Sequence, residues 1–233
     1  VRNALMSEND LGSPKWHWLP PTWEWGNFSA IFNDPALPMT RSLLNSIAIS
    51  VFQTLGVLII SGLAGYGLAR VPYRWSNAVF YLITATLLIP AAVTFVPSFV
   101  LVSSLGWIST LRGLIIPGLF QALATFLFRQ FFLSFPKEIE EAAFLDGLGY
   151  WGTFWRVVVP NSYGFAAAIG TITFIGSWNA FLWPLVSGRD QATWTVQIAL
   201  STFLTAQSVN LSQLFAAALV AIAPLLLMFL FLQ

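Results

Sequence analysis

Long stretches without a charged residue constrain this 233-residue chain more than any other feature. No charge occurs between Arg41 and Arg70, between Arg74 and Arg112, between Arg156 and Arg189, or anywhere after Asp190. A helix that crosses a bilayer needs about 20 consecutive, mostly apolar residues, and each of these runs is long enough to supply one. A further segment, 111–133, carries Arg112 and Arg129 near its ends, where long basic side chains reach back to the headgroups. The sequence therefore predicts an all-α, polytopic transmembrane helical bundle. Its five spans fall near 43–69, 77–102, 111–133, 162–186 and 211–232. Charged residues make up 8% of the chain, against about 25% in an ordinary soluble domain. That is too little to cover a water-facing surface.

The same scarcity excludes several functions. With a net charge of +1 there is no basic stripe to displace counterions from nucleic acid. The chain has no cysteine and one histidine, His17, read as a surface residue. Thiolate and multi-histidine metal sites are therefore ruled out, and no metal site is expected. Lys15 and Lys137 each follow a proline, so no glycine-rich phosphate loop ending in Gly-Lys exists. No clustered acid, base or nucleophile is visible, and no catalytic residue is assigned. The chain is expected not to be an enzyme.

Residues 1–41 differ from the rest. Pro14, Pro20, Pro21, Pro35 and Pro38 alternate with Trp16, His17, Trp18 and Trp23, which reads as an irregular segment at an interface. Residues 42–233 form the membrane domain. Arg70, Arg74, Arg129, Lys137 and Arg156 outnumber Arg41, Arg112 and Arg189 on the opposite loops. The positive-inside rule puts the first group in the cytoplasm, the N-terminal segment outside and Gln233 inside. Within the spans, Gly56, Gly62, Gly65 and Gly67 would let backbones approach closely. Pro90 and Pro97 would bend the second span twice. Glycine and proline are also simply common in membrane helices.

The loop 134–160 is the most informative stretch. Glu138, Glu140, Glu141 and Asp146 cluster behind Pro136 and before Gly147. Proline suits a first helical position, and acids favour the positive end of the helix dipole. Gly147 and Gly149 then stop the helix. The prediction is a short exposed helix over 137–146. Ala142 and Ala143 present no bulk, Ile139 and Phe144 offer apolar anchors, and the rim is acidic, which suits docking to a partner. An amphipathic helix lying on anionic lipid would instead be basic.

Glu141-Ala142-Ala143-x-x-Asp146-Gly147, followed by Phe154 and Pro160, resembles the EAA loop of binding-protein-dependent ABC importer permeases. Leu44-Asn45-Ser46, Gly65-Tyr66-Gly67-Leu68-Ala69-Arg70, Pro90, Arg129-x-Phe131-Phe132 and Trp178-Asn179-x-x-Leu182-Trp183-Pro184 match the carbohydrate-type branch, the maltose-type inner permease subunit. The run 124–132 is closer still to the glycerol-3-phosphate importer permease. The departures are Leu148, where the family has alanine, and Gly164, where it has a second proline. The resemblance implies a type I importer permease with six spans in the full protein. One span would precede residue 1, and a short basic tail would follow the last.

It also implies roles. Glu138, Glu141, Ala142, Ala143, Asp146 and Gly147 would form the ATPase-coupling helix. The partners would be a second, homologous permease subunit in a heterodimer, two ATP-binding subunits, an extracellular or periplasmic solute-binding protein and membrane lipid. No cofactor is expected on this chain, and ATP and Mg would sit on the partner ATPase. The solute-binding protein would be met by residues 1–41 and the loop near 187–210. The setting would be the prokaryotic plasma (inner) membrane, with a sugar or glycerol-phosphate solute. For the substrate path, Gln53, Trp178 and Asn179 are the candidates, because polar groups at membrane depth face protein or water. Asn179 equally suits an interhelical hydrogen bond, and the tryptophans suit interface anchors. The alternative function is a secondary transporter or channel subunit, which would use mid-span charges that are absent here.

Overall fold

The computed structural model describes residues 1–35, 37–204 and 210–232, all helices and turns where regular. Residues 205–209, within the loop expected to face outward, and the terminal Gln233 lie outside the described residues. Helix α1 (Gly26–Asn33) leads into the long α2 (Met39–Arg70). Then come α3 (Ser76–Ala85), α4 (Ala91–Ser104), α5 (Leu111–Ile115) and α6 (Ala122–Ser134). The short α7 (Lys137–Leu145) is followed by the helical stretch α8 (Tyr150–Asn161) and by α9 (Tyr163–Trp178). Helices α10 (Leu182–Ser187), α11 (Val196–Thr202) and α12 (Leu211–Leu232) complete the chain.

Among the described residues two helices, α2 and α12, are long and apolar enough to cross a membrane alone, and three bent pairs bring the number of candidate spans to as many as five. The pairs show what prolines do at depth. Between α3 and α4 the axis turns by 101°. Ile89 is extended because the residue before a proline is pushed out of the helical region, and Pro90 caps the next helix. The expected span 77–102 is therefore broken, not gently bent twice. Pro97 sits inside α4 without ending it. The pair 111–118 and 122–134 bends by 41°, and the pair 150–161 and 163–178 by 78°. The expected span 162–186 is also corrected. Helix α9 stops at Trp178, and a separate α10 begins at Leu182 with Pro184 in its first turn, where a missing N–H costs no intrahelical bond.

Helix α2 is the axle of the bundle. Its buried residues include Ser42, Ser46, Ser50 and Thr54, four apart, and then Ser61 and Gly65. Small residues on one stripe let neighbouring backbones come close, and α2 packs along both α6 and α9. Pro38 precedes its first residue, and Val71, before Pro72, is extended and ends it. Near its N-terminal end Asn45 Nδ2 donates to the carbonyls of Ala192 and Trp194, both at 3.0 Å, while Ser46 Oγ accepts from Val196 N at 2.8 Å. The Asn-Ser pair thus clamps the turn that enters α11. Asn45→Ala should cost about 1–3 kcal/mol, the penalty for stranding buried polar groups, measured as a fall in the thermal unfolding midpoint of the purified chain.

Residues 1–35 are more ordered than an irregular segment. Arg2–Leu5 and Glu8–Leu11 are single helical turns, and Ala4, Ile31 and Leu37 pack into one cluster with Ala216, Ala217 and Ala221 of α12. Glu8 Oε1 accepts from both Ser212 N (2.8 Å) and Ser212 Oγ (3.0 Å). A carboxylate is thereby placed at the N-terminus of α12, where the helix dipole favours it.

Candidate coupling helix and solute cleft

Helix α7 forms because Pro136 sets the entry and Glu138 and Glu140 lie in its first turn. It ends at Gly147, whose φ of +83° only glycine adopts without strain. Gly147 N donates to Phe144 O and Leu148 N donates to Ala143 O, both at 3.0 Å. This is the paired closure of a Schellman motif, which satisfies two terminal carbonyls. Beyond it, α8 contains one wide π turn over Phe154–Val158. Pro160 follows, and it cannot donate to the Arg156 carbonyl. Phe154 leaves that turn to pack on Tyr66 of α2, 5.0 Å between ring centroids.

The two faces of α7 are chemically distinct. Glu138, Glu141, Ala142 and Leu145 follow one another at helical spacing and all are exposed. Leu145 is 89% exposed and Ile139 41%. Asp146 and Gly147 at the C-terminal end are exposed as well. The face is an apolar strip with an acidic border. The opposite face carries Glu140 and Ala143, both 5% exposed. This corrects the reading of Ala143 as part of the docking surface: it seats α7 on the bundle.

Glu140 was not among the candidates, and it holds the most unusual position. Its Oε1 lies 3.3 Å from Nε of Arg70, the last residue of α2, and both side chains are almost fully covered. The Arg70 guanidinium also donates to the carbonyl of Phe135, immediately before Pro136. Burial pushes the Glu140 carboxyl above the ordinary glutamate range, and the Arg70 charge opposes that shift. Arg129 ties the same end of the bundle together. Its Nε donates to Leu68 O (3.3 Å), another nitrogen donates to Asn77 Oδ1 (3.0 Å), and its guanidinium lies 4.0 Å from the centroid of the Phe80 ring.

The three candidates for a solute path are not gathered in one place. Gln53 lines a cleft of about 270 Å³ with Thr94, Phe95, Ser98 and Trp183. Its amide is occupied by protein groups: Nε2 donates to Leu114 O at 2.8 Å, and Oε1 accepts from Ser177 Oγ at 2.6 Å. Trp178 is 1% exposed and stacks on Phe174 in the core. It is therefore corrected from path residue to packing residue. Asn179 is exposed at the end of α9, and its Oδ1 accepts from Gln197 Nε2 at 3.1 Å. The aromatic surface of the cleft comes instead from Phe95 and Trp183, edge to face at 5.7 Å. Trp183 is oriented by its Nε1 donating to Gly113 O at 3.1 Å.

A family model described as the binding-protein-dependent transport system inner membrane component matches residues 57–233, and the chain belongs to that family. It is 34% identical over 214 residues to an arabinooligosaccharides transport system permease protein, AraQ, of Halalkalibacterium halodurans. That alignment takes in 92% of this chain and 76% of the relative. It is 32% identical over 215 residues to an sn-glycerol-3-phosphate transport system permease protein, UgpE, of Yersinia pestis, over 90% of this chain and 76% of the relative. The fold is shared with a chain in the crystal structure of a bacterial ABC transporter involved in the import of the acidic polysaccharide alginate. The TM-score is 0.85 at 21% identity, covering 98% of this chain and 85% of that one. The protein is a membrane permease component of a binding-protein-dependent transport system.

Proposed function

We propose that this chain is one half of a heterodimeric permease in a prokaryotic plasma membrane, importing a carbohydrate or a glycerol-phosphate compound. Helix α7 seats in a cleft of a separate ATP-binding subunit, which carries ATP and Mg, and the outer face receives a solute-binding protein. The observation that carries this reading is the exposed face of α7. Leu145 stands free beside Glu138, Glu141 and Asp146 on a helix otherwise anchored to the bundle. An exposed apolar side chain ringed by acids suits a protein pocket better than anionic lipid. When two ATP-binding subunits close on nucleotide, the seated helices are carried together and bias the spans toward the outward-open state.

The solute is proposed to pass the cleft at Gln53. Among the described residues no charged side chain lines it. A phosphate-bearing solute would therefore need cations from the sister permease or the binding protein, whereas a sugar finds hydroxyls and aromatic rings here. Glu141→Lys and Gly147→Val test the docking. Lysine reverses the rim charge, and valine cannot hold the left-handed turn that closes α7. Both are expected to lower co-purification of the ATP-binding subunit and nucleotide hydrolysis by the complex. Unchanged values in both variants would refute the seat.

A further inference from the structure

We propose that the Arg70–Glu140 pair is the joint that carries motion of α7 into α2, making both positioning residues of the transport cycle. The proposal rests on the docking of α7 described above. Three observations converge on it. The pair lies at 3.3 Å with both side chains almost fully covered. The guanidinium also holds the carbonyl of Phe135, so one side chain fixes both α7 and the link that enters it. And Arg70 closes α2, the 32-residue helix whose middle carries Gln53 of the cleft and whose N-terminal end carries the Asn45–Ser46 clamp.

Besides the packing of α7 on α8, where Phe144 meets Tyr150 at 5.1 Å between ring centroids, the alternative route for motion is the backbone on either side of α7. After α7 the chain turns at Gly147, which no side-chain contact would restrict, and Gly149 follows in extended conformation. Such a tether passes force poorly. The side-chain pair, in contrast, ties α7 to a continuous helix. Between Arg70 and Gln53 that helix spans roughly 25 Å at 1.5 Å per residue. A buried ion pair is a poor device for stability alone, since desolvation offsets much of its attraction and apolar residues often do as well. Its value lies in direction: it holds only in one geometry and pulls as well as pushes.

The test uses the assembled importer and the absence of cysteine from this chain. Spin labels at Lys137→Cys, on the exposed side of α7, and Ile59→Cys, exposed on α2, report the α7–α2 distance. The distance is measured without nucleotide and after trapping with ATP and vanadate. The wild-type distance is expected to stay constant between the two states, because the helices move as one body. Arg70→Glu and Glu140→Arg alone should let it shift on trapping while the ATP-binding subunit still co-purifies. Combining them, which restores a pair of reversed sense, should restore the constant distance. A wild-type distance that changes on trapping, single variants that hold it constant, or a double variant that fails to recover would each overturn the joint. If a reversal prevents assembly, Glu140→Gln decides. Its amide keeps the shape without the charge, and a shift supports the joint where constancy refutes it. Failure of the unaltered chain to retain the ATP-binding subunit would refute the docking reading instead.

Discussion

Leu145→Asp is expected to weaken capture of the ATP-binding subunit by roughly 10- to 100-fold while leaving the unfolding midpoint of the permease within about 1 °C. Burying a leucine on association contributes about 1.5–3 kcal/mol, and each 1.4 kcal/mol is a factor of ten. Aspartate would also bring a charge into the contact. In the free chain Leu145 has 89% of its surface exposed, so its removal disturbs little inside the fold. Both numbers come from one preparation, as a binding titration with the purified ATP-binding subunit and a thermal melt. A variant that melts early would show that α7 had been misread as a free face. A variant that binds normally would show that the strip is not the contact.

The second large effect lies in the bundle. Gly65 of α2 sits where a Cβ would lie 2.6 Å from Phe128 Cβ and 2.9 Å from the backbone nitrogen of Arg129. No flexible side-chain end can swing away there, since the obstacles are the root of a side chain and a backbone atom of α6. Gly65→Val should therefore force α2 and α6 apart at this close approach, at a cost of about 3 kcal/mol or more from overpacking. The loosened end is the one that carries Arg70, Arg129 and α7. Expected results are a sharply lower yield of folded chain in detergent and a lower unfolding midpoint. Gly67→Val, two residues along, faces open space and should be tolerated. Equal behaviour of the two variants would contradict the packing described.

These two sites show how differently sequence discloses a membrane protein. Charge-free runs locate spans because an ionic group at membrane depth is costly whatever surrounds it. Runs do not disclose how a span is broken. Pro90 and Pro97 look alike in sequence, yet only the first ends a helix, because the backbone around Pro97 continues helically and that at Ile89 does not. Trp178 and Asn179 read as a polar-aromatic pair in one span, but the helix ends between them. One side chain turns into the core and the other to the surface. On α7, composition alone treats Glu138, Glu140 and Glu141 as equivalents. Helical spacing separates them, since 138, 141, 142 and 145 share a face that 140 and 143 do not, and that signal was available. The partner of Glu140 was not, because Arg70 lies at the end of a distant span where a basic residue is expected for orientation alone.

On this reading the exposed face of α7 is occupied by the ATP-binding subunit. A photo-crosslinking amino acid in place of Leu145, activated in membranes containing the whole importer, measures what touches that face. The expected result is a covalent product with the mass of permease plus ATP-binding subunit, suppressed by Glu141→Lys. Adducts to lipid alone, or no adduct at all, would contradict it.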